Sequence, residues 1–300
     1  IDCASGLVRC RPGETPLASS GPRRLRLNSR ARQSIFGETK TKKIRRMHMD
    51  INEAVAVVTG AGSGIGRALA CRLVVAGARV VVCTDIDADA ARATANLIGS
   101  KASAEVLDVA DQAAIENLVQ RVESAYGRID LFVSNAGYAR GGGLNLDTDQ
   151  WRDMMEVHLW AHLNAARAVI PGMIARGGGY LLNTASAAGL LTQLDSGPYA
   201  VSKHAAVALA EWLAINYGDQ GIGVSVLCPQ AVRTNILGKP SGRLSSQKSN
   251  SNQAAQDGIL SPEAVADDCI NAIIAEQFLV LPHKIVAKYF ANKANDYERW

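Results

Sequence analysis

The 300-residue chain has few aromatic residues, no long hydrophobic run and no excess of basic residues in its main part. Phe, Trp and Tyr make up only 5% of the residues. No apolar run approaches the ~18–20 residues that a membrane span requires, so we expect none. After residue 46, 25 acidic residues face 20 Lys and Arg, and this balance does not indicate a nucleic-acid partner.

The six cysteines form neither a CxxC pair nor a spacing typical of a metal site. Cys83 and Cys228 lie in apolar runs and are predicted to be small core residues. Free thiols are typical of a reducing compartment. We therefore expect no metal centre and a cytoplasmic protein.

Residues 1–46 have a different composition from the rest of the chain. They carry twelve Lys and Arg against three acids, and they lack apolar periodicity. We predict a disordered basic tail at 1–46, followed by one domain at 47–300. An organelle transit peptide and a non-native extension have the same signature, so both stay open as alternatives.

From residue 54 onwards, short β-branched runs alternate with stretches of helical period. The run Val80-Val81-Val82 is apolar on both faces, as in a parallel strand covered by helices on either side. Ile115, Leu118, Val119 and Val122 form one helical stripe. The pattern predicts an α/β fold with a Rossmann-type doubly wound parallel sheet in a single domain. Strands are expected at 54–59, 79–84, 104–107, 131–134, 180–184, 224–228 and 278–281, and a mobile loop at 238–258.

A glycine-rich turn, Thr59-Gly60-Ala61-Gly62-Ser63-Gly64-Ile65-Gly66, joins the first strand to the first helix. Glycines allow a positive φ and close approach to a pyrophosphate, and a helix N-terminus offers free N–H groups. A plain surface turn has similar composition, but at a strand–helix junction we predict a dinucleotide site. Its residues are Gly60, Ser63, Gly64, Ile65 and Gly66.

An acidic residue, Asp85, ends the second strand. An acid at this place in dinucleotide folds binds the adenosine ribose hydroxyls and repels a 2′-phosphate. Asp87 and Asp89 are close enough to compete for this role. We predict Asp85 as the ribose acid and NAD, rather than NADP, as the cofactor.

Tyr199 and Lys203 are four residues apart and so share one face of a predicted helix. A free tyrosine titrates near pH ~10, and a neighbouring ammonium lowers the pKa of the phenol. Ser186, at the end of a predicted strand, is a candidate to hold a substrate oxygen. A Tyr-x-x-x-Lys pair also occurs in ordinary surface helices, so this pair needs support from other motifs.

Taken together, these motifs resemble the short-chain dehydrogenase/reductase family over about residues 54–281. The glycine turn matches the cofactor motif of the family, Asp108-Val109 its adenine pair, and Asn135-Ala136-Gly137 its motif beside the nicotinamide. Ser186, Tyr199 and Lys203 match the catalytic residues in identity and spacing. The resemblance implies cofactor contacts from Tyr199 and Lys203, and from Pro229, Val232 and Thr234 after the sixth strand.

The resemblance implies a reaction and a role for each catalytic residue. Tyr199 is expected to be the general acid/base between a secondary alcohol and a ketone. Ser186 orients the substrate, and Lys203 binds the nicotinamide ribose and lowers the pKa of Tyr199. A homodimer or homotetramer, with a small alcohol or ketone as substrate, is also expected.

The sequence departs from the family pattern at three places. His158 stands where the family has a fourth catalytic residue, an Asn. We predict that His158 replaces it in proton relay; simple packing is the alternative. Gln230 replaces the Gly of the usual Pro-Gly turn, and Phe278–His283 replaces a Gly-rich C-terminal segment.

Other interpretations remain open at this point. His158 leaves room for a catalytically weak NAD-binding regulatory protein, and the same scaffold can host an isomerase or dehydratase. The spacing of His158 and His162 also suits zinc, but a third ligand is not evident and we expect none.

Overall fold

The structure is a computed structural model that describes residues 49–234 and 253–300. The described residues belong to one compact unit. The basic tail at 1–46 and the 238–252 part of the predicted loop lie outside the described residues. The rest of that loop, 253–258, begins with one helical turn. Within the described ranges, every helix is too short or too polar to cross a lipid bilayer.

Seven parallel strands form a single sheet in the order β3-β2-β1-β4-β5-β6-β7. The doubly wound sheet predicted from the sequence is thereby confirmed. Ala102 and Ser103 extend the third strand two residues before its predicted start, because they pair with Val81 and Val82. The strands are β1 Val55–Thr59, β2 Val80–Asp85, β3 Ala102–Val106, β4 Leu131–Ser134, β5 Gly179–Thr184, β6 Ile222–Leu227 and β7 Leu279–Val280.

Helices cover both faces of the sheet, and a separate buried hydrophobic cluster lies on each side. The stripe predicted from Ile115 to Val122 is buried on α3, and the Asp111 side chain caps that helix at Ala114 N–H. The helices are α1 Gly64–Val75, α2 Ala88–Ile98, α3 Gln112–Tyr126, α4 Thr148–Met155, α5 Ala161–Ala175, α6 Ala188–Leu191, α7 Gly197–Tyr217, α8 Gln253–Gln256, α9 Pro262–Ile274 and α10 Ile285–Asn295.

A π-helical turn, Glu156–Trp160, connects α4 directly to α5. Such turns insert one extra residue per turn into a helix and re-aim the side chains on it. His158 lies in this turn and is fully buried. The turn therefore directs His158 into the protein.

From β1 to β3 the strands follow one another toward one edge of the sheet, and from β4 to β7 they follow one another toward the other edge. The direction of strand order therefore reverses between β1 and β4, which are neighbours. Ligands of open α/β sheets bind in the crevice beyond the carboxyl ends of the strands at such a point. The glycine turn follows β1, Asn135 follows β4 and Ser186 follows β5. The fold thus gathers three distant motifs at one edge.

Candidate active site

The glycine turn between β1 and α1 has a backbone that only glycine accommodates. Gly60 has φ +65° and Gly64 has φ +53°. A Cβ on Gly60 would lie 2.8 Å from Ala136 Cα, and one on Gly66 would lie 2.1 Å from the Gly60 carbonyl oxygen. The Ser63 side chain does not cap α1. The first N–H groups of α1 are therefore left for an anion, as a pyrophosphate requires.

Asp85 faces the glycine turn from the end of β2. Its Oδ2 accepts a hydrogen bond from Gly62 N–H at 2.8 Å, and its Oδ1 accepts one from Asp87 N–H at 3.1 Å. Asp87 caps α2 instead, and Asp89 pairs with Arg92. Of the three acids that competed in the sequence, Asp85 alone contacts the turn.

Asn135 connects the carboxyl ends of three strands. Its Nδ2 donates to the Thr59 carbonyl at 3.0 Å, and its Oδ1 accepts from Thr184 Oγ1 at 3.3 Å. The Thr59 hydroxyl accepts the backbone N–H groups of Asn135 and Ala136. These bonds hold the Asn135–Gly137 segment in one place against the glycine turn.

The remaining predicted cofactor contacts lie along the same edge. Asp108 is exposed and caps its own turn at Ala110 N–H, while Val109 is buried. Val232 is buried and pairs with Leu260. Thr234 packs on Gly64, and its buried Oγ1 has no hydrogen-bond partner among the described residues. A bound ligand would satisfy such an orphaned hydroxyl.

The predicted catalytic residues converge from β5 and α7. The Ser186 hydroxyl lies close to the Tyr199 hydroxyl and donates to the Pro229 carbonyl at 3.5 Å. Lys203 Nζ lies 5.7 Å from the centre of the Tyr199 ring and donates to the Thr184 carbonyl at 2.9 Å. The three side chains therefore form one cluster, and Lys203 Nζ lies beside Gly137.

Burial shifts the proton affinity of this cluster. It raises the pKa of Tyr199, and the Ser186 hydrogen bond opposes that rise by stabilising the phenolate. Burial lowers the pKa of Lys203 to about 7, because an ammonium without a carboxylate partner is poorly solvated there. A hydrogen-bond acceptor in contact with the Lys203 ammonium would favour the charged lysine. A cation beside the Tyr199 oxygen would favour the phenolate.

His158 is held through both ring nitrogens. Nε2 accepts the Tyr138 backbone N–H at 3.3 Å, and Nδ1 lies 2.9 Å from Ser202 Oγ. Ser202 Oγ donates to the Tyr199 carbonyl at 3.0 Å, so Nδ1 carries the proton and donates to Ser202. Burial, and then the Lys203 charge, lowers the pKa of His158 far below 6.5. The ring is therefore neutral, with a defined tautomer.

His162 is buried with both nitrogens lacking a hydrogen-bond partner among the described residues. Burial, followed by the Lys203 charge, lowers the pKa of His162 to about 3. In residues 49–234 and 253–300, groups of three or more His, Cys, Asp or Glu that could hold a metal ion do not occur.

We expect His162→Leu to make folding less sensitive to acid. Between pH 6.5 and 3 the unfolded chain protonates His162 and the folded chain does not. Stability is thus fully present above pH 6.5 and is lost as the pH falls, by up to about 1.4 kcal/mol per pH unit. The urea concentration at the unfolding midpoint should fall less from pH 7 to pH 5 and pH 4 in the variant than in the parent. Parallel curves for variant and parent would contradict this expectation.

Sequence reasoning missed a polar cluster around Gln230. Gln230 Nε2 donates to Asp257 Oδ2 at 3.2 Å, and Tyr289 OH donates to Asp257 Oδ1 at 3.0 Å. Gln230 N–H donates to His283 Nδ1 at 3.2 Å. The departures at Gln230 and Phe278–His283 were the only sequence signal that this region is unusual.

The geometry fits a nicotinamide dinucleotide. The cradle at Gly60 and Gly66 leaves no room for a Cβ, and Asp85, the predicted ribose acid, contacts the same turn at Gly62. The Asn135–Gly137 segment joins this cradle to the Ser186–Tyr199–Lys203 cluster, because Ala136 packs on Gly60 and Gly137 lies beside Lys203 Nζ. These residues place an acid/base beside a dinucleotide site.

Comparisons with known proteins agree with this arrangement. A family model described as short chain dehydrogenase matches residues 54–242. The 1-deoxy-11-beta-hydroxypentalenate dehydrogenase of Streptomyces avermitilis is 33% identical over 83% of this chain and 91% of its own. The cyclohexanol dehydrogenase of Acinetobacter is 33% identical over 64% and 78%. A Burkholderia phymatum short-chain dehydrogenase/reductase solved with NAD superposes with a TM-score of 0.74, at 30% identity over 84% of this chain and 96% of that one.

Proposed function

Because the chain belongs to the short-chain dehydrogenase/reductase family, whose members act on CH–OH groups with NAD or NADP, we propose that it interconverts a secondary alcohol and a ketone with NAD. The single observation that carries the proposal is the Ser186–Tyr199–Lys203 cluster beside the glycine cradle. Relatives named as dehydrogenases of cyclic alcohols support the substrate class.

In this proposal Tyr199 moves the proton of the reacting hydroxyl. NAD, when bound, supplies the hydride acceptor. In oxidation, the Tyr199 phenolate takes the hydroxyl proton while the Ser186 hydroxyl holds the same oxygen in place. Lys203 stabilises the phenolate by its charge, across the 5.7 Å to the ring. In the reverse direction Tyr199 returns the proton to the carbonyl oxygen.

The test is net formation of NADH from a panel of secondary alcohols, and net consumption of NADH with the matching ketones. Substrate-dependent turnover supports an oxidoreductase. NADH binding without turnover would favour the alternative, a catalytically weak NAD-binding regulatory protein. Conversion of a substrate without net change in NADH would favour an isomerase or dehydratase.

We propose that His158 replaces the Asn of the family in relaying the proton onwards from Lys203. The place that a Cβ on Gly137 would occupy lies 3.0 Å from His158 Nε2 and 3.7 Å from Lys203 Nζ. His158 Nε2 and Lys203 Nζ therefore both lie beside Gly137, and in the proposed relay a water would share the Nε2 acceptor with the Tyr138 N–H. Neutral imidazole can both donate and accept, as the amide of Asn can. The competing view is that His158 only orders α7 through Ser202.

We expect His158→Leu to lower turnover by roughly 10-fold, with NAD affinity unchanged, because the relay loses its acceptor. His158→Asn should retain most of the activity. The matched variant Ser202→Ala removes the partner of Nδ1 and leaves Nε2 in place. Parent-like turnover of His158→Leu, measured together with its NAD affinity, would show that the proton leaves by another route.

We propose that the protein forms a homodimer or homotetramer through the outer face of α7. Val201 and Trp212 are each 50% exposed there, and Ile215 is 80% exposed. Apolar side chains clustered on one helix face are typical of an interface between copies. Light scattering of the purified protein would measure the mass of the assembly.

A cytoplasmic location is proposed from the thiols. The four cysteines that the structure describes, Cys71, Cys83, Cys228 and Cys269, are all unpaired, which suits a reducing compartment. Localisation of a tagged full-length chain would test this against the organelle alternative.

A further inference from the structure

Gln230 carries a buried hydrogen-bond acceptor that is unpaired within the described part of the chain. Its Nε2 donates to Asp257, but its Oε1 is buried without a partner among the described residues. Buried polar atoms of native proteins are nearly always paired, and leaving one unpaired has a free-energy cost. The oxygen therefore points to a partner outside the chain itself.

The direction of the Gln230 amide is set by its neighbours. An ionised Asp257 carboxylate accepts hydrogen bonds and cannot donate them, so the NH2 group of the amide must face it. Tyr289 OH donates to the other carboxylate oxygen and helps to hold Asp257 in place. A flipped amide would set Oε1 against the carboxylate. Oε1 is thus turned away from Asp257.

The backbone of Gln230 is held as well. Its N–H donates to His283 Nδ1, and His283 Nε2 lies 3.3 Å from the Gly258 carbonyl. Burial lowers the pKa of His283, which favours the neutral ring with Nε2–H donating to Gly258. Residue 230, just after β6, is thus held by hydrogen bonds that involve the segment before α9 and the C-terminal region.

Residue 230 is next in the chain to a residue that contacts the catalytic cluster. Gln230 directly follows Pro229, whose carbonyl oxygen accepts from Ser186 Oγ at 3.5 Å. Ser186 in turn lies close to the Tyr199 hydroxyl, whose pKa it affects. A substrate whose reacting oxygen lies between Ser186 and Tyr199 would therefore have its neighbouring atoms close to residue 230.

We propose that Gln230 Oε1 accepts a hydrogen bond from a second donor group on the substrate, and that the protein prefers hydroxyl-bearing alcohols and ketones, such as vicinal diols and hydroxyketones, over plain ones. The inference rests on the proposed function and deepens it. A plain alcohol leaves the buried oxygen unpaired, whereas a diol pairs it, and sites built to bind a hydroxyl discriminate against analogues that lack it.

The experiment compares matched pairs of alcohols with the full-length protein and NAD. The pairs are butane-2,3-diol with butan-2-ol and cyclohexane-1,2-diol with cyclohexanol. We expect kcat/KM to favour the diol by about 10-fold in the parent. Gln230→Met keeps the length of the side chain but removes the acceptor, together with the donor to Asp257, so the ratio of kcat/KM for the diol to kcat/KM for the plain alcohol should fall to about one. Gln220→Met is the matched control and should keep the preference, because Gln220 lies beyond the end of α7, where its Nε2 donates to the Asn216 carbonyl.

Equal kcat/KM for both members of each pair in the parent would overturn the inference but leave the proposed function standing. A Gln230→Met variant that slows both members alike and raises the KM for NAD would also overturn it, since the oxygen would then face the cofactor. Absence of turnover with every alcohol and ketone in the parent would contradict the proposed function, and this inference with it.

Discussion

Tyr199→Phe should lower turnover by about 100-fold or more while NADH still binds. The change removes one oxygen, the atom that we propose takes and returns the substrate proton, and lost acid/base catalysis is of this scale. The ring itself keeps its packing against His158, whose centroid is 5.5 Å away. The loss should therefore appear in kcat and leave the fold and cofactor affinity intact.

The measurement combines steady-state kinetics with NADH binding followed by fluorescence. Tyr217→Phe is a matched control, because Tyr217 ends the same helix and its ring packs on Trp212, at 5.8 Å between ring centres. The control should turn over like the parent. Near-normal turnover of Tyr199→Phe would mean that another group carries the proton.

The second large effect concerns cofactor choice, where we expect kcat/KM with NAD to exceed that with NADP by roughly 10- to 100-fold. The Asp85 carboxylate would hydrogen-bond the ribose hydroxyls of NAD, and charge-assisted bonds are among the stronger ones. With NADP the same carboxylate would meet a 2′-phosphate, and like charges at close range repel. The preference should weaken as salt concentration rises.

Asp85→Asn is the sharpest variant for this prediction. An Asn oxygen can still accept from Gly62 N–H, so the glycine turn keeps its bond while the charge is lost. The ratio of kcat/KM with NAD to kcat/KM with NADP should then fall toward one. Asp87→Asn is the matched control, since Asp87 caps α2 and does not contact the turn. Equal use of NAD and NADP by the parent would refute the proposed role of Asp85.

The features that sequence reasoning predicted are those encoded by neighbouring residues. The parallel sheet was predictable because strands covered on both faces are apolar throughout, as at Val80–Val82. The glycine turn and the Tyr199–Lys203 pair were predictable because each motif occupies one short segment. The start of β3 was not, since Ala102 and Ser103 have little strand propensity and are held by pairing with β2.

Other parts of the candidate site depend on contacts between distant segments. The sequence shows that His158 is a histidine at an unusual place, but its tautomer depends on Tyr138 and Ser202, which come from other elements. The sequence favoured Asp85 over its neighbours from its place at the end of β2, but its contact with Gly62, 23 residues away in the chain, is seen only in the structure. Local pattern does not contain either piece of information.

By itself, the sequence determined the family, the doubly wound sheet and the choice of Ser186, Tyr199 and Lys203 as candidate catalytic residues. Short motifs and strand periodicity are local properties of a chain. Only the tertiary structure decided which groups surround those residues. It joined Gln230 to Asp257, Tyr289 and His283 across as many as 59 positions of sequence, and it buried His162 without a hydrogen-bond partner among residues 49–234 and 253–300. Burial and hydrogen-bond partnership, which set pKa and specificity, arise only when distant segments pack together.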